Sequence, residues 1–550
     1  MMNIQNTWTS LSVLQHIQIA VFALVIGGTS CFAQQISNEG RSPQVAGQLN
    51  PKSPADFGDF DEFVERVLTE WKVPGVAIAV IDNDRILLSK GYGFRDLEQR
   101  LPVTSKTLFP IASITKPFTA TAAAILLDDR KLEWDDRVRD HLQTFRLYDE
   151  NAAAQLTIRD CLAHRTGLSM AGLRWYGVNG WPEANITPDF AYRTLRYLEP
   201  TASARTTYQY SNSGYLIIGR LIEELSGESW EDFVNRRLFN PLKMDRTNCS
   251  VKETQEDADH AKPYDLQDGT AVRRPFFPSE VVAPVGGINS NVEEMTQFLK
   301  FCVGQGNLEG KQIVTKSAMK DLLTPEVVMP EFDSFKATTG FQGIGWQLFL
   351  IRGEKWARHT GSFPGFTAVA GFCPKRKCAY VVLTNLAYRP TAELMESNIR
   401  SRLLGRKPVD EFEMYYQLEQ SSNESYEEAR QQRRPTQIQN TNPTHPLIDY
   451  VGQYTNPAYG DFEISLNGDA LQWSHHGFQG PLRHYHYDVF DMEGDRLTNG
   501  IVDDDIRREL VTFHAGSSGR FDSLSLPRFP IPKDVVFSRC QADDGAEDSR

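Results

Sequence analysis

A serine hydroxyl three residues ahead of a lysine amine, Ser113-Ile114-Thr115-Lys116, is the first place in this chain where two side chains could share a proton. On a helix that spacing is one turn and one face. A serine is a poor nucleophile until a neighbouring base takes its proton, and an amine at this distance can do so. Further along, Tyr210-Ser211-Asn212 supplies a phenol able to relay a proton and an amide able to hold both Lys116 and a substrate carbonyl. A third island, His359-Thr360-Gly361-Ser362, reads as a strand that lines a substrate and ends with a backbone N–H aimed at an oxyanion. Together the islands describe acyl transfer. Lys116 and Tyr210 withdraw the proton of Ser113, Oγ attacks a carbonyl, and water activated near Tyr210 later releases the acid. The lysine must be neutral for this, so burial has to depress its pKa.

The first motif is weak alone, because Ser317-Ala318-Met319-Lys320 repeats it, with Tyr454-Thr455-Asn456 and His514-Ala515-Gly516 downstream. Context separates the two sets. Ser113 follows Leu108-Phe109-Pro110-Ile111-Ala112 and opens the Ala-rich apolar helix Ala120–Leu127, whose positive end favours a hydroxyl turning anionic. Ser317 lies inside an ordinary amphipathic stretch, Thr315–Leu323, with Met319, Leu322 and Leu323 on its apolar face.

On these islands the chain resembles the serine β-lactamase and penicillin-binding-protein superfamily, on the side of class C β-lactamases, D-stereospecific (S12-type) peptidases and related esterases. The likeness runs from about Phe57 to Leu404. It includes Gly91-Tyr92-Gly93-Phe94, Pro102-Val103-Thr104, Leu156-Thr157-Ile158-Arg159-Asp160, His164-Arg165-Thr166-Gly167-Leu168 and Gly286-Gly287-Ile288-Asn289-Ser290, in the family's order. The resemblance implies Ser113 as nucleophile, Lys116 as its base, Tyr210 sharing proton transfer and Asn212 orienting. It implies an oxyanion hole from the backbone N–H groups of Ser113 and Ser362, with Thr360 and Gly361 along the substrate, and no cofactor or metal.

One position departs from the resemblance: His359 stands where similar β-lactamases carry Lys. An imidazole is half-charged near its ordinary pKa of about 6.5 and neutral above it, so it is no permanent partner for a substrate carboxylate. Read functionally, this favours a D-amino-acid-directed peptidase or an esterase over a β-lactamase; read plainly, His359 is a polar residue that fits the strand. A penicillin- or cell-wall-binding sensor that is acylated without turnover is a third reading. The substrates expected are small molecules or peptides: D-amino-acid peptides, esters, β-lactams or peptidoglycan fragments.

The elements that position these islands follow from apolar spacing. Phe57–Trp71 has helical periodicity, and Val76–Ile81 with Arg85–Lys90 forms a hairpin around Asp82-Asn83-Asp84. A largely helical middle runs from Thr115 to about Phe301. Strands return at Trp346–Arg352, Glu354–Arg358, Phe366–Phe372 and Ala379–Thr384, before a helix at Ala392–Leu404. Strands from both ends of this region make one antiparallel sheet flanked by helices, with a helical insert, an α+β architecture. The hydrolase domain is expected at 56–405 and a charged, Gln-rich, partly helical linker at 406–446. A small antiparallel β-barrel is expected at 447–540, where short strands recur between turns, and a polar tail at 541–550. Tyr450-Val451-Gly452-Gln453-Tyr454 resembles the start of lipocalin-like domains attached to some D-peptidases. Such a module could gate substrate, bind cell wall or join copies into a homo-oligomer.

Residues 1–33 read as an export signal, with Ile17–Gly28 as its apolar part, although no Lys or Arg precedes it. Residues 34–55 read as a disordered lead-in. A periplasmic or secreted protein is expected, with lipid attachment at Cys31 as the alternative. A net charge of -13 argues against nucleic acid as a partner, and no stretch is long and apolar enough to span a bilayer. Of the other cysteines only Cys373 and Cys378, flanking a hairpin tip, suggest a pair. Neither C-x-x-C nor H-E-x-x-H occurs. His475, His476, His484 and His486 form the one histidine cluster and are read as solvent-facing in preference to a metal site. His164 is read as satisfying backbone groups at a helix end. Trp175, Tyr176 and Trp181, in a Gly/Asn-rich loop, are candidates to line the cleft.

Overall fold

The structure is a computed structural model that describes residues 55–168, 187–329, 339–351, 353–387, 389–475, 478–492, 509–527 and 534–540. Trp175, Tyr176, Trp181, Cys31, His476, the expected signal segment, nearly all of the lead-in and the polar tail lie outside these residues.

Gly75–Asp82 is apolar until its last residue and buried on both faces, so it takes the middle of the sheet. It turns through Asn83 and Asp84, at φ 49° and 63°, into Arg85–Asp96, as a tight hairpin between twisted strands requires. On its other side it pairs with Cys378–Thr384 from the far end of the domain. The sheet has nine antiparallel strands. They run in the order Val327–Met329, Gly340–Gln342, Gln347–Ile351, Glu354–Phe363, Phe366–Cys373, Cys378–Thr384, Gly75–Asp82, Arg85–Asp96 and Leu101–Pro102. The expected closure of one sheet by both chain ends is what forms.

Alternation assigns the two faces. Val76, Ile78, Val80, Trp356, Val369, Tyr380 and Val382 pack against the helices Phe60–Glu70 and Thr391–Leu403. Within that layer Arg358 and Glu396, both buried, pair at 2.9 Å, and the Tyr380 hydroxyl donates to Glu396. The other face is lined by alanines, Ala77, Ala79, Ala357, Ala368, Ala370 and Ala379, small enough for the helix Val292–Val303 to lie close across the strands. Beyond it the helix Thr115–Asp128 is buried from Thr115 to Leu126, with Phe118 stacked on Phe298 at 3.7 Å. A helix enclosed on every side has no use for a polar face, which explains its Ala-Thr-rich sequence.

The segment read as a partly helical linker carries a helix tied to the hydrolase core. Phe412–Arg433 is a helix whose Phe412 and Tyr415 are buried in the core beneath the sheet. Two aromatic residues at helical spacing outweigh the polar composition around them.

The C-terminal strands close into an up-and-down barrel of eight: Gly452–Asn456, Gly460–Asn467, Ala470–His475, Phe478–His486, Val489–Met492, Leu510–Ala515, Phe521–Leu526 and Val535–Arg539. Tyr450, Tyr454, Phe462, Trp473, Phe490, Phe513, Phe521 and Phe537 are all buried among its strands, so its interior is a packed core. The histidine reading needs correction here. His475 and His486 are buried: His475 Nδ1 donates to the Asp461 carbonyl, and His486 Nδ1 accepts from the Ile438 N–H. A register shift separates His484 from His486, so strict alternation does not hold them on one face. Cys373 and Cys378 do face each other across their hairpin, but as buried free thiols.

Glu396 also meets Arg400 at 3.5 Å, so removing it takes a carboxylate from two buried guanidiniums. Glu396→Ala should therefore lower stability by about 3–5 kcal/mol, measured by denaturant unfolding followed through tryptophan fluorescence. The double replacement Arg358→Met with Glu396→Leu should recover a large part of that loss.

Candidate active site

The approach to Ser113 is a tight turn. Ala112 sits at φ 47°, in the left-handed region, which costs a residue with a Cβ roughly 1–2 kcal/mol. The 3₁₀ turn Ala112–Ile114 then runs directly into Thr115–Asp128, leaving Ser113 at the head of the helix and Lys116 one turn on. Lys116 Nζ lies 2.8 Å from Ser113 Oγ and donates to the Val285 carbonyl at 3.1 Å. The lysine is 0% exposed, and burial alone pushes its pKa well below the ordinary 10.5, with no carboxylate opposing. A neutral amine has one lone pair. With an N–H committed to Val285, that lone pair is available to the Ser113 hydroxyl.

The Tyr210 hydroxyl is hydrogen-bonded to Ser113, and its ring centre lies 5.0 Å from Lys116 Nζ. Burial raises its pKa, so the phenol keeps its proton. Asn212, two residues on, is the first residue of the helix Asn212–Ser226 and is buried, with Oδ1 unpartnered among the described residues. The loop before this helix is held from below by His164, whose ring lies against Tyr210.

The third island lies on Glu354–Phe363. The neighbouring strand Gln347–Ile351 ends opposite Arg358, so His359–Ser362 have a strand partner on one side only among the described residues. The open edge meets the Ser113 turn: a Cβ on Gly361 would fall 2.2 Å from the Ile111 carbonyl oxygen and 3.1 Å from the Ser113 nitrogen, so only glycine fits. Ser362 is half-buried, with its hydroxyl unpartnered among the described residues. Thr360 lies opposite Val369, on the sheet face away from His359, and touches the site through its carbonyl.

His359 corrects the sequence expectation of a half-charged imidazole. It is 1% exposed, and burial, aided by Lys116, lowers its pKa to about 3. Its Nδ1 lies 2.6 Å from the Thr360 carbonyl oxygen. A carbonyl can only accept, so Nδ1 carries the proton and Nε2 is a bare lone pair. Nε2 is buried and unpartnered among the described residues. The site therefore presents an amine whose pKa burial depresses, a neutral imidazole, a buried amide and a protonated phenol.

The structure thus brings Ser113, Lys116, Tyr210, His359 and Gly361 together. Ser317 and Lys320 are exposed on the helix Lys316–Leu322, whereas Tyr454 is buried in the barrel and donates to the Tyr450 carbonyl. The Val285 carbonyl, which holds Lys116, escapes sequence reading because a backbone acceptor leaves no residue-type signal. Tyr208 and Tyr215 are also missed. Tyr215 places its ring 5.6 Å from Lys116 Nζ, and its i, i+5 offset from Tyr210 looks like ordinary helix core. Among the described residues no group of three or more His, Cys, Asp or Glu could hold a metal ion.

Comparison with known proteins places this site in context. The family model described as Beta-lactamase matches residues 60–404, and that of a domain of unknown function, DUF3471, matches 436–539. The unguisins hydrolase ungD' of Aspergillus campestris is 27% identical over 417 residues, 74% of this chain and 77% of its own. The octameric penicillin-binding protein homologue from Pyrococcus abyssi shares the fold at a TM-score of 0.59 and 24% identity, over 88% of this chain and 100% of that one. The D-amino acid amidase from Ochrobactrum anthropi shares it at 0.53 and 21%, over 63% and 99%.

Gly361→Ala should push the His359 strand off the Ser113 turn. Labelling of Ser113 by a serine-directed phosphonate should slow about 100-fold while the circular dichroism spectrum is unchanged.

Proposed function

The chain belongs to the beta-lactamase family, and from that premise we propose that it is a serine hydrolase acting on amides and esters that carry no carboxylate beside the scissile bond. D-amino-acid-directed peptidase or amidase activity and esterase activity come first. The observation that carries this reading is the neutral His359 with its lone pair free. Where a cationic lysine would attract a carboxylate, this site offers a hydrogen-bond acceptor, which suits a substrate N–H or O–H. The D-amino acid amidase of the same fold supports the reading, since an amino acid amide has no free carboxylate.

In the proposed mechanism, neutral Lys116 takes the Ser113 proton as Oγ bonds to the substrate carbonyl carbon. The oxyanion rests on the backbone N–H groups of Ser113 and Ser362, beside Gly361 and Thr360. Tyr210, still protonated, gives its proton to the leaving nitrogen or oxygen as that bond breaks, and recovers one from the Lys116 ammonium. Asn212 orients the acyl group. Water then attacks the ester carbonyl, Lys116 taking its proton and returning one to Ser113 Oγ as the acyl–oxygen bond breaks and the acid leaves. Export, expected from residues 1–33, belongs to the same reading. The octameric Pyrococcus homologue, which spans both parts of the chain, supports assembly of several copies, detectable by light scattering of the intact protein.

A panel of p-nitrophenyl acetate, D- and L-alanine p-nitroanilides, a D-Ala-D-Ala peptide and a chromogenic cephalosporin tests this. Ser113→Ala should abolish all turnover, whereas Ser317→Ala should retain it. Turnover dominated by the cephalosporin would replace this reading with a β-lactamase. A stable acyl-Ser113 adduct in mass spectrometry, without turnover, would replace it with a binder or sensor.

The pH profile follows from the same groups. For a neutral ester, kcat/KM should rise as Lys116 loses its proton, at a pH well below 10.5, and fall only when Tyr210 ionises above 10. His359 should add no inflection near 6.5, being neutral above about 3. His359→Lys should raise kcat/KM for a carboxylate-bearing ester over its neutral analogue by about tenfold, since a hydrogen bond to a charged group contributes roughly 1.5–3 kcal/mol.

A further inference from the structure

We infer that His164 is the positioning residue of Tyr210: it clamps the chain on both sides of the tyrosine and stacks beneath its ring. The inference rests on the reading that the Tyr210 hydroxyl serves Ser113.

His164 follows the short helix Ile158–Leu162 and stands at φ 56°, in the left-handed region. Its carbonyl and its ring both meet the segment 209–211. The carbonyl oxygen accepts the Gln209 N–H at 3.0 Å, and Nδ1 accepts the Ser211 N–H at 3.0 Å in a fully buried setting. Between these two bonds the imidazole stacks on Tyr210, with ring centres 4.4 Å apart and planes 28° apart. One residue therefore holds the chain before Tyr210, the chain after it and the face of the phenol. Ser211 is also the N-cap of Asn212–Ser226, so the same bond sets where that helix begins and hence where Asn212 stands.

The clamp works in one protonation state only. Accepting from Ser211 requires a lone pair on Nδ1, so the ring proton is on Nε2. A second proton would break the Ser211 bond and place a cation near Lys116. Burial, then Lys116 and His359, hold the imidazole pKa well below 6.5. The support behind His164 is stiff. The Tyr215 ring lies 5.3 Å away and its hydroxyl donates to the Leu162 carbonyl at 2.8 Å. Arg165 and Arg205 both pair with buried Asp160, and the Arg205 N–H reaches the Arg165 carbonyl at 2.8 Å.

Two variants separate the two halves of the clamp. His164→Asn keeps an acceptor near the position of Nδ1 and loses the ring; His164→Phe keeps the ring and loses the acceptor. Each should lower kcat for p-nitrophenyl acetate about 10–100-fold with KM nearly unchanged, the scale of a misplaced catalytic group. In a Tyr210→Phe background, either substitution should cost less than about threefold, because residues acting through one group are not additive. Equal losses with and without the Tyr210 hydroxyl would overturn the proposal. If Tyr210→Phe alone left kcat unchanged, the catalytic reading of Tyr210 would fall, and the positioning role with it. Histidine ¹⁵N resonances of the unmodified protein test the clamp without any variant. A neutral Nε2–H tautomer persisting from pH 5 to 9 is expected. A Nδ1–H tautomer, or titration within that range, would refute it.

Discussion

The candidate site is built around a lysine amine buried with no carboxylate beside it. Taking an ammonium out of water costs several kcal/mol even after relaxation, and Lys116 has only the Ser113 hydroxyl and the Val285 carbonyl as hydrogen-bond partners among the described residues. Burial pulls the amine's pKa well below its ordinary 10.5, and the amine sits against the Ser113 hydroxyl. The imidazoles follow the same rule. Burial first, and then Lys116, lowers the pKa of both His359 and His164.

The scaffold supplies closeness. Ala112 in the left-handed region turns Ser113 into the site, Gly361 lets a strand edge come within contact of that turn, and small residues on the helix-facing side of the sheet let the layers approach. These features concern what is missing from side chains. They allow backbone N–H groups to stand where an oxyanion would form, and backbone donors serve any acyl group alike. His359 Nε2 and Asn212 Oδ1, without protein partners among the described residues, are the polar atoms left open to a ligand.

The barrel contrasts with this site. Among the described residues its aromatic rings are buried against one another, and His475 and His486 are bound to backbone groups. The helix Phe412–Arg433 leads toward it from the hydrolase core, and Arg434, next in the chain, pairs with Asp491 on a barrel strand at 2.5 Å.

The amino-acid sequence by itself determined the chemistry available and the elements that carry it. The spacing of Ser113 and Lys116, the short apolar runs at both ends of the hydrolase region and the turn-punctuated strands of the barrel are local patterns, readable from residue types within a few positions of one another. Polar linker composition hid the buried pair Phe412 and Tyr415, and two barrel strands went unread, Phe478–His486, where Pro481 and polar residues broke the pattern, and Val535–Arg539. Only the tertiary structure decided which groups are charged and which are held. The Lys116 pKa is depressed because residues far away in the chain exclude water from it. His359 lost its expected titration for the same reason, and His164 acquired a partner 47 residues away. Burial and hydrogen bonding are sums over all neighbours in space, so no local reading of residue types contains them.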